Sequence, residues 1–173
     1  MSHLIIAIDP QVRYSGVAYK WADQPIISHD LIDTFNQGAA IVTDLVSLGA
    51  GNHITVIMES SVFGASRYVS RAFAYELGFL TGLFKAYSHN IPGQVSFIYP
   101  APSHWRSFID SALTKEEVQS VAASYYIYRR SQWMPQEDVI TEHEADAIAM
   151  ILAYELSGGA MSGTVIKNKK VVI

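Results

Sequence analysis

Short apolar runs rich in β-branched residues alternate along this chain with longer stretches whose apolar positions recur at helical spacing. Leu4-Ile5-Ile6-Ala7-Ile8 is continuously apolar, which predicts a buried strand over residues 3–9. Residues 14–19 follow a short turn and predict its hairpin partner, and residues 25–33 a third strand. Asn36 to Leu48 has helical spacing and is broken by Gly49-Ala50-Gly51-Asn52. His53 to Met58 predicts a strand, 66–88 a long helix, and Val95 to Tyr99 a strand stopped by Pro100 and Pro102. A short helix is expected over Ser103 to Asp110. Thr114-Lys115-Glu116-Glu117 and Thr141-Glu142-His143-Glu144 are capping-box sequences. The first opens a helix with Val118, Val121, Ala122 and Tyr125 on one face; the second opens a helix to about Leu156. Strands come first and mixed units follow, so the predicted class is α/β, a mixed five-stranded sheet flanked by helices. One domain is expected over 1–157, with a basic tail over 158–173 that carries Lys167, Lys169 and Lys170.

A length of 173 residues suits a single domain with a real core, and 50% apolar with 16% charged residues marks a globular chain. The absence of cysteine excludes disulfides, thiolate nucleophiles and Cys-ligated zinc. No apolar run reaches the length of a membrane span, and Met1-Ser2-His3 lacks the basic start and apolar block of a signal peptide. The expectation is a cytoplasmic protein with no membrane partner.

The net charge of −4 argues mildly against a nucleic-acid partner, but its distribution changes the picture. Between Ser60 and Lys115 stand Arg67, Arg71, Lys85, Arg106 and Lys115 against only Glu76 and Asp110. Phosphate binding needs a local positive surface, not a positive whole.

Three carboxylates stand in unusual settings. Asp9 and Glu59 each end an apolar strand, and Asp146 interrupts the apolar stretch from Ala145 to Leu152. A carboxylate at the end of a buried strand is desolvated at a cost. Several brought together repel one another, and divalent cations relieve that repulsion. The pattern reads as a metal-dependent site for phosphodiester chemistry. Plainer readings stand beside it. Asp9 can cap the turn into Pro10-Gln11, Glu144 serves the capping box, and Glu142 suits the helix dipole. His143 lies three residues before Asp146, so both project from one helix face, a spacing that suits two ligands of one metal cluster as well as a structural pair. Phe63, in a loop of small and polar residues, is either a core aromatic or a platform for an exposed base.

Taken in order, the motifs resemble those of RuvC-type Holliday-junction resolvases of the ribonuclease H-like superfamily. Ile8-Asp9-Pro10-x-x-Arg13-x-Ser15-Gly16 matches the family's first-strand motif, and Glu59-x-x-Val62-Phe63 its second-acid motif. Tyr99-Pro100-x-Pro102-x-x-Trp105-Arg106, followed by Lys115, is similar to the proline-containing strand end and basic helix start. His143-x-x-Asp146-Ala147-x-Ala149 matches the last motif. The correspondence runs from about Leu4 to Leu156.

The resemblance implies a ribonuclease H-like fold and a metal-dependent endonuclease, a homodimer, that resolves four-way DNA junctions by paired symmetric nicks leaving 5′-phosphate and 3′-hydroxyl ends. By the same resemblance Asp9, Glu59, His143 and Asp146 form the catalytic metal site for Mg²⁺, with Mn²⁺ as the alternative. Phe63, Arg67, Arg71, Arg106 and Lys115 are the candidate DNA-facing residues. His143 is either a neutral ligand or a proton-transfer group, and Glu142 is a possible substitute ligand four residues before Asp146. The chain departs from the family in its thin basic endowment and its compact interval from Asp9 to Glu59, which hints at a phage or prophage branch. Rival readings are another ribonuclease H-like nuclease acting on branched DNA, RNA–DNA hybrids or structured RNA, and a non-catalytic DNA-binding module. A phosphotransferase module of the actin and sugar-kinase type is disfavoured, because the chain is short and has no glycine-rich phosphate loop.

Overall fold

The strand at the centre of the sheet organises everything around it. In the computed structural model, β1 (His3–Asp9) is fully buried from Leu4 onward. It pairs antiparallel with β2 (Tyr14–Trp21) on one side and parallel with β4 (His53–Met58) on the other. β3 (Ile27–Asp33) extends the sheet beyond β2, and β5 (Gln94–Ile98) beyond β4, giving the expected five strands. A short strand not read from the sequence, β6 (Ile127–Arg129), adds parallel to β3, so the order is β5-β4-β1-β2-β3-β6. The structure describes residues 2–60, 67–89, 91, 93–109, 114–123, 127–129 and 140–161; at 67–70, 73, 115, 119, 123 and 127–129 it describes the backbone only. The tail lysines lie outside the described residues.

Alternation along each strand sends side chains to two cores. Leu4, Ile6, Ile8, Val17, Ile54, Val56 and Met58 face α1 (Thr34–Leu48) and α2 (Arg67–Ser88). Ile5, Ala7, Ala18 and Ile57 face the opposite layer of α3 (Pro102–Ile109), α4 (Lys115–Ala123) and α5 (Glu142–Leu156). Because β1 is covered on both faces, it reads as an unbroken apolar run and not as an alternating one. The helix through Val118, Val121 and Ala122 was expected to include Tyr125; the described α4 ends at Ala123, and Tyr125 lies outside the described residues. No helix among the described residues is long and apolar enough to cross a membrane.

Both capping boxes form. Thr114 receives the Glu117 amide at 3.3 Å while its own N–H donates to Glu117 Oε2 at 2.7 Å. Thr141 and Glu144 do the same at the start of α5. Capping of this kind satisfies amides that the first helical turn leaves without partners.

Helix α5 lies close against the sheet because its buried face is small: Ala145, Ala147, Ala149 and Ala153 are at most 1% exposed. The closest approach is at Gly16 of β2. A Cβ there would stand 2.0 Å from the carbonyl oxygen of His143. Gly16 is also the cross-strand partner of Asp9, so this contact seats the first turn of α5 beside the end of β1.

Candidate active site

Parallel pairing places the first two acids side by side. The β1–β4 register runs through Ile8 and Met58, and the Glu59 N–H extends the ladder by donating to the Ile8 carbonyl at 3.2 Å. Asp9 and Glu59 follow Ile8 and Met58 at the same sheet edge, and alternation turns both toward the α3–α5 layer. Asp9 is 1% exposed. It is held by two side chains: His143 Nδ1 donates to Oδ2 at 2.8 Å, and Gln11 Nε2 to Oδ1 at 3.4 Å. Asp146, one turn beyond His143 on α5, completes the group.

Burial and the neighbouring acids act together on Glu59. The Glu59 carboxyl is pushed up to about 7, first by burial and next by the charge of Asp9, with Asp146 adding to the effect. A hydrogen bond from Trp105 and the charge of Arg106 pull the other way. Several carboxylates in one poorly solvated place cannot all ionise cheaply. The His143 imidazole is raised above its usual value, mainly by its hydrogen bond to Asp9, with the charges of Asp9, Glu142 and Asp146 reinforcing it against burial.

Helix α3 supplies the third wall. Pro102 occupies its first turn, where the missing N–H does no harm. The preceding Pro100 carbonyl accepts from the Ser60 amide at 2.9 Å, which ties the start of α3 to the chain just after Glu59. Trp105 is fully buried, and its indole N–H donates to Glu59 Oε2 at 2.7 Å. Arg106 Nη2 stands 3.6 Å from Asp146 Oδ2, and its guanidinium lies 5.0 Å from the centre of the Trp105 ring.

Glu144, read as a helix cap, does more than cap. Its Oε2 accepts from the Thr141 amide at 3.0 Å and hydroxyl at 2.8 Å, and its Oε1 accepts from His29 Nδ1 at 3.0 Å. His29 on β3 and Glu144 are 2% and 0% exposed. This buried pair joins the first turn of α5 to β3, one residue from His143.

The structure therefore brings together Asp9, Glu59, His143 and Asp146, and adds Trp105 as a partner of Glu59. It turns Arg106 onto Asp146. Glu142 is exposed, with Oε1 3.8 Å from His143 Nε2. Arg71 is exposed on α2. Arg67 and Lys115 begin α2 and α4, where only their backbone is described, and Phe63 lies outside the described residues.

The donor set suits a hard divalent cation, since carboxylate oxygens dominate it and one imidazole stands beside them. As they stand, these donors are turned to internal partners: Asp9 to His143, Glu59 to Trp105, Asp146 to Arg106. Accordingly, no group of three or more His, Asp or Glu among the described residues is arranged to hold a metal ion. The chemistry of the donors fits the ion.

No protein-family model and no curated protein matches the chain. Solved structures do. The chain matches a structure of Thermus thermophilus RuvC with a TM-score of 0.60 at 16% identity, over 90% of this chain and 95% of that one. It matches T. thermophilus RuvC in complex with a Holliday junction substrate with a TM-score of 0.56, again at 16% identity, over 90% of this chain and 94% of that one. The α/β architecture is thus the ribonuclease H-like one, and the particular fold it matches over nearly its whole length is that of RuvC.

Proposed function

We propose that this chain is a metal-dependent endonuclease that cuts four-way DNA junctions, working as a homodimer through paired symmetric nicks that leave 5′-phosphate and 3′-hydroxyl ends. The observation that carries the reading is the convergence of Asp9, Glu59 and Asp146 at one sheet edge, close enough for Asp9 and Asp146 to raise the Glu59 carboxyl. The RuvC-like fold around that edge supports it, as does the solved complex of one such protein with a Holliday junction substrate.

In this reading Asp9, Glu59, Asp146 and His143 hold Mg²⁺ or Mn²⁺. Held there, a divalent cation would supply a nucleophilic water at neutral pH and stabilisation of the leaving oxygen. The chain's own groups prepare the place. Trp105 fixes Glu59 through its Oε2. His143 orients Asp9 and, with its proton held against a carboxylate, is placed to exchange that proton. Gly16 and the Glu144–His29 pair hold α5, and with it His143 and Asp146, over the end of β1. Paired nicks on a two-fold symmetric junction require two such sites, which a homodimer provides.

The test is cleavage of a labelled four-way junction beside linear duplex, a Y-fork and an RNA–DNA hybrid, with Mg²⁺, Mn²⁺ or EDTA. Symmetric metal-dependent nicks confined to the junction are expected. Cutting of forks or hybrids instead would move the substrate to branched DNA or hybrids while keeping the site. No cutting of any substrate would overturn the catalytic reading.

A further inference from the structure

We propose that Arg106 competes with a divalent cation for Asp146: its guanidinium pairs with that carboxylate, and a cation held there would displace it toward solvent and DNA phosphate. The inference rests on the metal-dependent reading above and adds a role for a residue that sequence motifs assign only to DNA.

Four observations carry it. The guanidinium approaches Asp146 at 3.6 Å, an ion pair longer than a good hydrogen bond and correspondingly easy to break. Its Nε is buried and has no hydrogen-bond partner among the described residues, so the pairing with Asp146 leaves a donor unmet. The side chain is 29% exposed, so an outward route exists. Finally, the guanidinium lies over the Trp105 ring, which the Glu59 bond holds still. That flat surface keeps the group near the site after it releases Asp146.

Competition for one carboxylate is reciprocal. If Arg106 weakens cation binding by neutralising Asp146, removing its charge strengthens that binding. A partly exposed ion pair contributes up to about 1 kcal/mol, which is roughly a fivefold effect. Groups that merely shape the site behave oppositely: truncating them weakens the ion.

The test is Mn²⁺ affinity of the full chain, read from the electron-spin resonance signal of free Mn²⁺ at low ionic strength, for the wild type, R106A, R106Q and R106K. R106Q keeps much of the volume and serves where R106A does not fold, as judged by circular dichroism. Both neutral variants are expected to bind Mn²⁺ about two- to fivefold more tightly than the wild type, and R106K to bind like the wild type. Equal or weaker binding by the folded neutral variants overturns the inference while leaving the metal-dependent reading intact. Absence of Mn²⁺ binding by the wild type overturns both.

Discussion

Gly16 and His143 meet backbone to backbone: a Cβ on Gly16 would lie 2.0 Å from the His143 carbonyl oxygen and 2.6 Å from the Glu144 amide nitrogen. No rotamer change relieves such a contact, because both neighbours are main chain. Gly16 also pairs with Asp9, so the same residue sets the strand register and the height of α5 above it. Gly16→Ala must lift the first turn of α5 away from β1. The expected loss is about 2 kcal/mol or more in urea denaturation, together with loss of cleavage. Wild-type stability and activity in that variant would contradict the close approach.

Asp146→Asn keeps the size of the side chain and removes its charge. On the proposed reading, junction binding would rest mostly on phosphate contacts and cleavage on the full acid set. Cleavage is expected to fall to background while junction affinity in a gel-shift assay changes by less than about threefold. Full activity would remove Asp146 from the site.

Trp105 contacts Glu59 across 46 residues of sequence. Phenylalanine fills most of the indole volume but cannot donate, so Trp105→Phe isolates the hydrogen bond. Bonds to an ionised group contribute about 1.5–3 kcal/mol. A fall in cleavage rate of roughly 10- to 100-fold is expected. An unchanged rate would make Trp105 a packing residue only.

Glu144→Ala removes both the reciprocal cap of α5 and the partner of buried His29. The cap is worth about 1 kcal/mol, and a buried donor left alone costs about 1–3 kcal/mol. The expected destabilisation is roughly 2–4 kcal/mol, with Glu144→Gln retaining a good part of it. Denaturation midpoints for the two variants decide the point; a loss under about 0.5 kcal/mol for alanine would show that the pair does not anchor the helix.

Local signals carried much of this architecture. The runs through Ile8 and Met58 end in acids at the same sheet edge, and their unbroken apolar, β-branched character revealed both strands locally. Both capping boxes were visible for the same reason: cap and reciprocal glutamate lie three residues apart. What periodicity cannot carry is contact between distant positions. His29 and Glu144 are 115 residues apart, and nothing around His29 distinguishes it from a surface histidine on a strand. Trp105 entered the sequence reading only as part of a motif, and its bond to Glu59 depends on how α3 packs. Gly16 was visible as a motif glycine, but the helix it admits was not. Strand β6 is three residues long and follows a helical pattern that runs toward Tyr125, so no period marks it.

Glu76 offers a test of the core away from the site. It lies on the face of α2 that also buries Leu80 and Phe84, is itself 1% exposed, and its Oε2 has no hydrogen-bond partner among the described residues. Burial pushes its carboxyl up from 4.5 to about 7. The folded state therefore holds this proton more tightly than the unfolded chain does. The resulting stabilisation is fully present below pH 4.5, falls as pH rises toward 7, and levels off above it. Glu76→Gln is neutral at every pH and lacks this loss. The variant is expected to gain on the wild type by roughly 1–3 kcal/mol between pH 5 and pH 8, as measured by urea denaturation of both proteins at the two pH values. Taking the difference between the two proteins cancels the titration of Glu59, which both retain. A constant gap across that window would mean that Glu76 ionises in the folded state as readily as in water.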